Sequence, residues 1–429
     1  MPNYHPGAAG PRAALSEGTS GREPAKKAWR VIHACEYARD VLPVIETQII
    51  AGMRPFIVTP QGAGSAELYL KGDQQESPRQ LSLLREWQDV RNWRKSILDC
   101  NPEFAADVLH AHSFAAGMAA VRNCSCVVYD VQAFIEELAI ATGQCDAGSW
   151  MGRSFRVAEQ FILARAGAIV VHSARTAEAA RERGAPADSI FVIPDPLPLP
   201  QESILASLPS MSPRLVHTET ATTFFVPSLY ASADRKPGEE SLAALKAFMG
   251  AAEYLSSCNV ALVGAGDVQE TEIGEIQELA RTGQVRFVDS VEHAWELADV
   301  VIVPPARSAS LVDLRRPNAI CVEAMMRGKA VIAADTPENR DVTPYGRGCL
   351  WYAAGNTGDL AARIVFMAEN PGFRSALAQS GLAHLRESRG PAELGRLYEE
   401  AYRHAASRRR PGGQGINAAP QFLPIPQAG

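Results

Sequence analysis

Short apolar segments alternate with segments of helical periodicity along most of the chain. In the first half, apolar runs bounded by turn residues predict strands, and apolar positions three and four residues apart predict helices. The predicted strands cover residues 28–34, 55–59, 107–112, 126–129, 168–173 and 190–194. The predicted helices cover residues 41–51, 79–98, 153–165 and 176–183. A strand, a helix and a strand within about 30 residues form a βαβ unit, so a parallel sheet is expected here.

The second half repeats this order of elements. Its predicted strands cover residues 223–227, 260–263, 285–288, 300–303 and 330–334. Its predicted helices cover residues 241–250, 270–281, 293–297, 359–368, 372–386 and 391–406. The fold class is therefore predicted as α/β, with two doubly wound, Rossmann-like domains that face a central cleft.

Changes in composition predict the boundaries of these domains. The ends of the chain lack apolar patterning, which is typical of a disordered leader and tail. A Pro- and Ser-rich stretch between the halves predicts a linker. The predicted divisions are a leader at 1–27, an N-terminal domain at 28–200, a linker at 201–220, a C-terminal domain at 221–388, a helix at 389–407 that returns to the N-terminal domain, and a tail at 408–429.

Residues 317–340 contain the strongest candidate for a binding site. They predict a short apolar helix that carries Glu323, a break at Gly328, a strand, and a polar loop that contains Asn339. A helix N-terminus has free N–H groups and a positive dipole end, so it suits a diphosphate. The carboxylate of Glu323, one turn into the helix, can accept hydrogen bonds from vicinal hydroxyls. The alternative, a buried amphipathic helix whose Glu323 is capped or solvated, has about even odds from these residues alone.

In the first half, the candidate groups follow the predicted strands. Ligands of open α/β sheets bind beyond the carboxyl ends of the strands, which places residues 35–39 and 60–67 at the cleft. His110 and His112 share a face if their strand continues. If it ends between them, His112 alone reaches the cleft and His110 is a core histidine, which is the alternative we favour. A metal site is not expected, because no third ligand has suitable spacing.

A further group of polar residues follows the strand at 126–129. These residues are Asp130, Gln132, Glu136 and Glu137, and all are expected in the loop after that strand. The pair Gly62 and Gly64 lacks a full phosphate-binding pattern, and a surface turn explains it equally well.

Composition excludes several classes of protein. The net charge of −6 does not favour nucleic-acid binding. Eight cysteines without a CxxC pair predict neither a disulfide framework nor a four-ligand zinc site, so a reducing, cytoplasmic location is expected. No apolar run approaches the roughly 20 residues that span a bilayer.

The helix predicted at 79–98 combines tryptophan with basic residues. That combination can mark a helix on a membrane surface, here a peripheral contact at the inner membrane face. An outer helix of the first domain with solvated arginines is favoured by about two to one, because two acids interrupt the basic run.

The order of motifs from about residue 30 to 406 resembles the retaining glycosyltransferases of family four, the group one transferases with the GT-B fold. DVLHAHSFAAGMA, ARAGAIVVHS and IFVIPDP are similar to the first domain of that family. LVGAGD, VRFVDSV, LADVVIVPP and PNAICVEAMMRGKAVIAAD are similar to its donor domain. The resemblance implies transfer of a sugar from a nucleotide-diphosphate donor, probably UDP- or GDP-linked, with retained configuration and without a metal. No other cofactor is implied.

The resemblance also implies roles for individual residues. Glu323 matches the acid that holds the ribose, and the backbone of Ala319 and Ile320 matches the diphosphate cradle. Lys236 matches the lysine that neutralises the diphosphate, with Arg235 assisting; an exposed loop charge is the alternative for this pair. The remaining candidates for donor binding are Asn318, Gly264 and Gly266.

Three positions depart from the family pattern. Arg315 stands where the first acid of the family motif is usual, and Ser228 stands near the place of a family arginine. Gln132 stands in place of the acceptor-side histidine, and it can hydrogen-bond a sugar but cannot carry a proton. The predicted catalytic group is therefore Lys236, His112 and Gln132.

Two other functions remain as hypotheses beside a glycosyltransferase that acts on a glycan, lipid-linked or small-molecule acceptor. One is a catalytically silent subunit that binds nucleotide sugars, which the three departures motivate. The other is a sugar epimerase on the same two-lobed fold.

Overall fold

The computed structural model describes twelve ranges of the chain. They are residues 28–35, 38–59, 62–65, 83–104, 106–197, 222–227, 239–255, 260–265, 285–288, 290–305, 319–342 and 347–408. The predicted leader, the linker and the helix predicted at 270–281 lie outside them.

The N-terminal half forms a sheet of seven strands within the described ranges. The strands are β1 (Arg30–Ala34), β2 (Arg54–Thr59), β3 (Gly62–Ser65), β4 (Val108–Ala111), β5 (Val127–Val131), β6 (Ala168–Val171) and β7 (Ile190–Val192). Their order is β3-β2-β1-β4-β5-β6-β7, and β3 alone among them runs antiparallel to its neighbour. All residues of β4, β5 and β6 are buried, which explains their largely apolar sequence, with His110 and Asp130 as the exceptions.

Strand β3 corrects one prediction. A weak phosphate-binding signal and a surface turn were equally good explanations of the Gly62 and Gly64 segment, but the segment is a strand that pairs with β2 from Phe56 to Thr59. A strand composed of glycine, alanine and serine has no hydrophobic alternation, so periodicity could not indicate it.

Helices cover both faces of this sheet. They are α1 (Ala38–Ile50), α2 (Leu83–Phe104), α3 (Phe114–Asn123), α4 (Ile135–Ala141), α5 (Trp150–Leu163) and α6 (Ala174–Glu182). On α2, Trp93 is buried in the core, whereas Arg94 and Lys95 are exposed. This arrangement is that of an outer helix. Among the described residues, no helix combines the length and the apolar character that a bilayer span requires.

Helix α3 was not predicted, because its alanine-rich sequence has no amphipathic pattern. Ser113 caps it by accepting a hydrogen bond from the Ala116 N–H at 3.3 Å. The helix lies directly on β5: a Cβ added to Gly117 would lie 2.8 Å from the ring of Tyr129, which is itself buried. Glycine is therefore required at this point for close packing.

We expect Gly117→Ala to lower the free energy of unfolding by about 1–3 kcal/mol, because the added methyl group must displace a buried ring. Gly250→Ala is the matched control. A Cβ at Gly250 meets nothing within 4 Å, and alanine is the better helix former. Denaturant unfolding of the two variants measures the difference. Equal stability of both variants would show that the contact with Tyr129 does not constrain this helix.

The C-terminal half forms a parallel sheet of six strands within the described ranges. The strands are β8 (Thr222–Phe225), β9 (Val260–Ala265), β10 (Val285–Val288), β11 (Val300–Val303), β12 (Ala330–Ala334) and β13 (Leu350–Tyr352), in the order β10-β9-β8-β11-β12-β13. The helices are α7 (Glu239–Tyr254), α8 (Val291–Leu297), α9 (Ala319–Met326), α10 (Pro337–Val342), α11 (Thr357–Glu369) and α12 (Pro371–Ser388). The two sheets with their helices confirm the predicted α/β class.

Helix α10 replaces most of the polar loop that was predicted after β12. Asn339 is buried, and its side-chain amide donates to the Ala334 carbonyl at 3.0 Å. The Asn339 N–H also lies 3.3 Å from the Thr336 hydroxyl, which accepts from it at the start of the helix. Polar side chains here satisfy the backbone of a turn, which periodicity alone cannot separate from a loop.

The last helix, α13 (Pro391–Ser407), packs under the N-terminal sheet. Tyr398 and Tyr402 are fully buried against Val31, Val128 and other residues of that sheet. The chain therefore starts and ends its described part in the same half.

Polar contacts between described residues join the two halves. The Ala174 N–H donates to Asp341 at 2.8 Å, and Arg175 pairs with Glu338 at 2.9 Å. On the other side of this contact, the guanidinium of Arg389 donates to the carbonyl of residue 195 at 3.1 Å. Helix α10 thus serves as a contact with the first half.

Candidate active site

Four histidines and one aspartate meet at the carboxyl ends of the N-terminal strands. His33 lies in β1 and His110 in β4, and the parallel register places them side by side. His112 follows β4, Asp130 lies in β5, and His172 follows β6. Open α/β sheets bind ligands at this edge.

The carboxylate of Asp130 is the centre of the group and is 1 % exposed. His172 Nε2 lies 2.8 Å from Asp130 Oδ1, and His112 Nδ1 lies 3.1 Å from Oδ2. Burial opposes ionisation, but the charge of His172 and the surrounding rings hold the pKa of Asp130 well below its ordinary value. Asp130 is therefore a buried anion. It lies in β5 and not in the loop in which it was predicted.

His172 is the cation that partners Asp130. Its Nδ1 donates to the Ile193 carbonyl at 2.9 Å, and its Nε2 donates to Asp130, so both ring nitrogens face acceptors. Burial lowers the pKa of His172, but the charges of Asp130 and Asp195 outweigh it and raise the value to about 10. The ring is an imidazolium at neutral pH.

The rings of His110 and His33 are held neutral. Burial, with a smaller effect of the adjacent ring of His112, lowers the pKa of His110 to about 4. Burial also lowers the pKa of His33 well below its ordinary value, with His110 and His112 adding to the effect. The side chain of His112 is 3 % exposed. This burial does not favour the predicted contact between His112 and a sugar, which stays a prediction.

A hydrogen-bonded chain links these rings to the last helix. His33 Nε2 lies 2.9 Å from Gln48 Oε1, and the Gln48 amide donates to the Tyr402 hydroxyl at 2.6 Å. The same hydroxyl lies 2.9 Å from His110 Nδ1. Sequence reasoning missed Gln48 and Tyr402, since they lie 354 residues apart in helical patterns.

Gln132 follows β5 at the same edge and is half-buried. Glu136 and Glu137 lie in α4 and not in a loop. They form ion pairs with Arg156 and Arg183, each at 2.6 Å. These two acids therefore stabilise the packing of helices, and Gln132 remains the candidate for a sugar contact.

A buried acid that the sequence did not indicate lies beneath them. Glu159 of α5 is fully buried, accepts from the Tyr129 hydroxyl at 3.0 Å and accepts from the Ile135 N–H at 3.2 Å. Burial raises the pKa of Glu159 to about 8, although these bonds and the charge of Arg183 oppose the shift. Glu159 therefore carries a proton at neutral pH.

This protonation has a measurable consequence. Between the ordinary pKa of 4.5 and about 8, the folded state binds a proton that the unfolded state releases. Stability from Glu159 is thus present below pH 4.5 and is lost as the pH rises through 8. We expect Glu159→Gln to remove this loss. The difference in free energy of unfolding between the variant and wild type is therefore expected to be about 2–4 kcal/mol larger, in favour of the variant, at pH 9 than at pH 5. Parallel urea titrations at the two pH values measure this difference; identical pH profiles would contradict the assignment.

On the C-terminal side, the described part of the predicted donor site is the start of α9. This helix begins at Ala319, and both Ala319 and Ile320 are half-buried. Glu323 is 42 % exposed and is held by Arg327, whose Nε donates to it at 2.6 Å. This exposure agrees with the alternative of a solvated Glu323 as well as with a ribose contact, so the role of Glu323 stays a prediction.

Arg327 was not identified from the sequence. It also pairs with Glu292 at 2.9 Å and lies 5.1 Å from the ring centre of Trp295. An acid at i and an arginine at i+4 on a short helix is a weak signal, because such pairs are common on surfaces. Here the pair orients the carboxylate of Glu323.

The other predicted donor residues divide into two groups. Gly264 lies near the end of β9, opposite Phe287 of β10. Lys236, Arg235, Asn318 and Gly266 lie outside the described residues, as do Arg315 and Ser228.

Models of protein families match a range of residues in each half of the chain. A model of the glycosyl transferase 4-like domain matches residues 51–196, and a model of the glycosyl transferases group 1 matches residues 225–370. The two matched ranges together span more than half of the chain. The chain belongs to the group 1 glycosyltransferases. The match places the edge with Asp130 in the first family domain and α9 in the second.

Solved structures agree with this fold. A glycosyltransferase from Rickettsia africae has a TM-score of 0.57 at 14 % identity, and the match covers 89 % of this chain and 99 % of that one. Sucrose-phosphate synthase from Thermosynechococcus elongatus has a TM-score of 0.56 at 16 % identity, over 88 % and 99 % of the two chains. Anabaena HepE, solved with UDP and glucose, has a TM-score of 0.52 at 14 % identity, over 87 % and 98 %. At these identities the likeness shows the GT-B fold alone. The comparison with curated proteins gives no match.

Proposed function

We propose that this group 1 glycosyltransferase transfers a hexosyl unit from a UDP- or GDP-linked donor to an acceptor hydroxyl, with retained anomeric configuration and without a metal at the diphosphate. The observation that carries the proposal is the half-exposed Glu323, one turn into α9 and oriented by Arg327. A carboxylate in this position can bind the two ribose hydroxyls, while the helix start binds phosphate. Lys236 supplies the positive charge on the other side of the diphosphate.

The transfer step needs no protein base. The bond between the anomeric carbon and the phosphate oxygen breaks, and the acceptor oxygen bonds to the same face of that carbon. The acceptor proton passes to the departing phosphate oxygen, whose negative charge Lys236 stabilises. Gln132 is proposed to position the sugar by hydrogen bonds, which its amide can do without carrying a proton.

The acceptor and the location follow from weaker observations. We propose a glycan or lipid-linked acceptor in polysaccharide biosynthesis, at the cytoplasmic side of the inner membrane. Among the described residues, six cysteines are free thiols, which supports a reducing compartment. Peripheral contact with the membrane is tested by flotation with anionic liposomes.

The donor is identified by a thermal-shift screen of UDP, GDP, ADP and their sugars, because a ligand of the folded state raises the melting temperature. We expect Glu323→Ala to weaken binding of the stabilising nucleotide by about 10- to 100-fold, since a hydrogen-bonded charged group is removed. Glu296→Ala removes an exposed acid of α8 and is the matched control. Calorimetry measures both. Equal affinity of the Glu323 variant and wild type would show that the ribose is bound elsewhere.

The second candidate, a silent nucleotide-sugar-binding subunit, is favoured by one observation. Gln132 stands where a proton-carrying histidine is usual in the family. Binding of a donor without hydrolysis or transfer to any glycan or lipid acceptor would support this candidate.

A further inference from the structure

Three imidazoles converge at the carboxyl edge of the N-terminal sheet. One ring nitrogen from each of His33, His110 and His112 lies within 4.8 Å of the other two. The ring centres of His110 and His112 are 4.2 Å apart, and each is 5.1 Å from that of His33. All three side chains are at most 3 % exposed. We refer to them as the histidine cluster.

The outer ring nitrogens of His33 and His110 each have a hydrogen-bond partner, whereas that of His112 has none and faces a carboxylate. His33 Nε2 lies against Gln48 Oε1 at 2.9 Å, and His110 Nδ1 lies against the Tyr402 hydroxyl at 2.9 Å. His112 Nδ1 faces the carboxylate of Asp130 at 3.1 Å. An amide oxygen, a hydroxyl and a carboxylate are the groups that orient the imidazole ligands of metal sites.

This pairing leaves three inner nitrogens, which are Nδ1 of His33, Nε2 of His110 and Nε2 of His112. The nitrogens of His33 and His112 share a hydrogen bond of 2.9 Å, which a bound ion would replace. His110 Nε2 is buried without a hydrogen-bond partner, and the carboxylate oxygen nearest to it, Asp130 Oδ2, lies 3.5 Å away. A buried ring nitrogen without a partner costs free energy, so its position points to a ligand that accepts its lone pair.

We propose that the histidine cluster binds a divalent transition-metal ion of the zinc class through these three nitrogens. Imidazole suits Zn²⁺, with Zn–N distances of about 2.0–2.1 Å. Tetrahedral angles at that distance separate the nitrogens by about 3.3 Å, so the rings of His33 and His112 move apart by about 0.4 Å. The neighbouring anion of Asp130 offsets part of the added charge. Water or Asp130 completes the fourth position.

The site joins parts of the chain that are distant in sequence. The ligands come from β1 and the end of β4, and their outer partners come from α1, β5 and α13. A metal here stabilises the folded N-terminal half, because the unfolded chain does not hold the three rings together. The proposal is independent of the proposed transfer, and no step of that reaction uses this ion.

The test uses the full chain, stripped with a chelator and titrated with Zn²⁺ and with Co²⁺. We expect one bound equivalent by elemental analysis, a rise in melting temperature with Zn²⁺, and the visible absorption of tetrahedral Co²⁺. His33→Gln is expected to weaken Zn²⁺ binding by at least about 100-fold. The matched control His293→Gln removes an exposed imidazole of α8 and is expected to bind as wild type does.

X-ray absorption of the Zn²⁺-loaded wild type counts imidazole ligands and does not depend on whether a variant folds. Three imidazoles are expected. Absence of a retained equivalent in wild type, coordination by cysteine sulfur, or equal binding by His33→Gln and His293→Gln would each overturn the proposal. None of these readouts depends on transferase activity, so failure here is distinguishable from failure of the proposed function.

Discussion

Lys236→Ala is expected to lower kcat by about 10²- to 10³-fold. As the bond to the anomeric carbon breaks, negative charge develops on the departing diphosphate. A positioned ammonium stabilises this charge more in the transition state than in the bound donor. The loss is therefore expected in kcat, with a smaller change in donor affinity.

Steady-state kinetics with the donor found in the thermal-shift screen measures this loss. Lys236→Arg keeps the charge and is expected to retain part of the activity, although its planar fork differs in shape from an ammonium. Lys246→Ala removes an exposed lysine of α7 in the same half and is expected to have wild-type kinetics. If Lys236→Ala and Lys246→Ala have the same kcat, Lys236 is a loop charge outside the site.

Gly348→Ala is expected to lower the free energy of unfolding by about 3–5 kcal/mol. The residue has φ of +80°, where a side chain is strained. A Cβ at this position would also collide with the backbone of Gly381 in α12. Backbone atoms cannot rotate away as a side chain can, so β13 and α12 must move apart.

Gly355→Ala separates the two causes. Gly355 has φ of +78°, but a Cβ there meets nothing within 4 Å. Its substitution is expected to cost only about 1–2 kcal/mol, the cost of the left-handed conformation. Urea unfolding of both variants gives the difference. Equal losses would mean that the close approach to Gly381 contributes nothing to stability.

The strands and long helices were predictable because large apolar residues recur in them at the spacing of a strand or a helix. Strands β10, β11 and β12 occupy the predicted residues, and α13 is longer than predicted by one residue at its end. Several of the errors lie where side chains are small or polar. Strand β3 and helix α3 have too few large apolar residues for a periodic pattern, and the polar residues at the start of α10 bond to neighbouring backbone groups. Strand β13 and helix α4 are apolar but too short to show a period.

Single residues of the proposed donor site were assigned only through the family resemblance, and these assignments stay predictions. The position of Glu323 near the start of a helix follows from its sequence, but its orientation by Arg327 depends on how α8 and α9 pack. In the first half, β4 ends at Ala111, between His110 and His112, and His110 is buried, as the favoured prediction has it. His112 is buried as well, and both rings lie near Asp130, which the sequence did not indicate.

The sequence alone determined the alternation of strands and helices, the two α/β halves and the polar residues that follow the strands, because these depend on local periodicity. The tertiary structure decided which of those residues meet. His33 lies inside an apolar strand and has the pattern of a core residue, but the parallel pairing of β1 with β4 places it beside His110. Tyr402 reaches the same point from the other end of the chain. Local patterns carry no information about such contacts, because the register between distant strands is set by packing of the whole sheet.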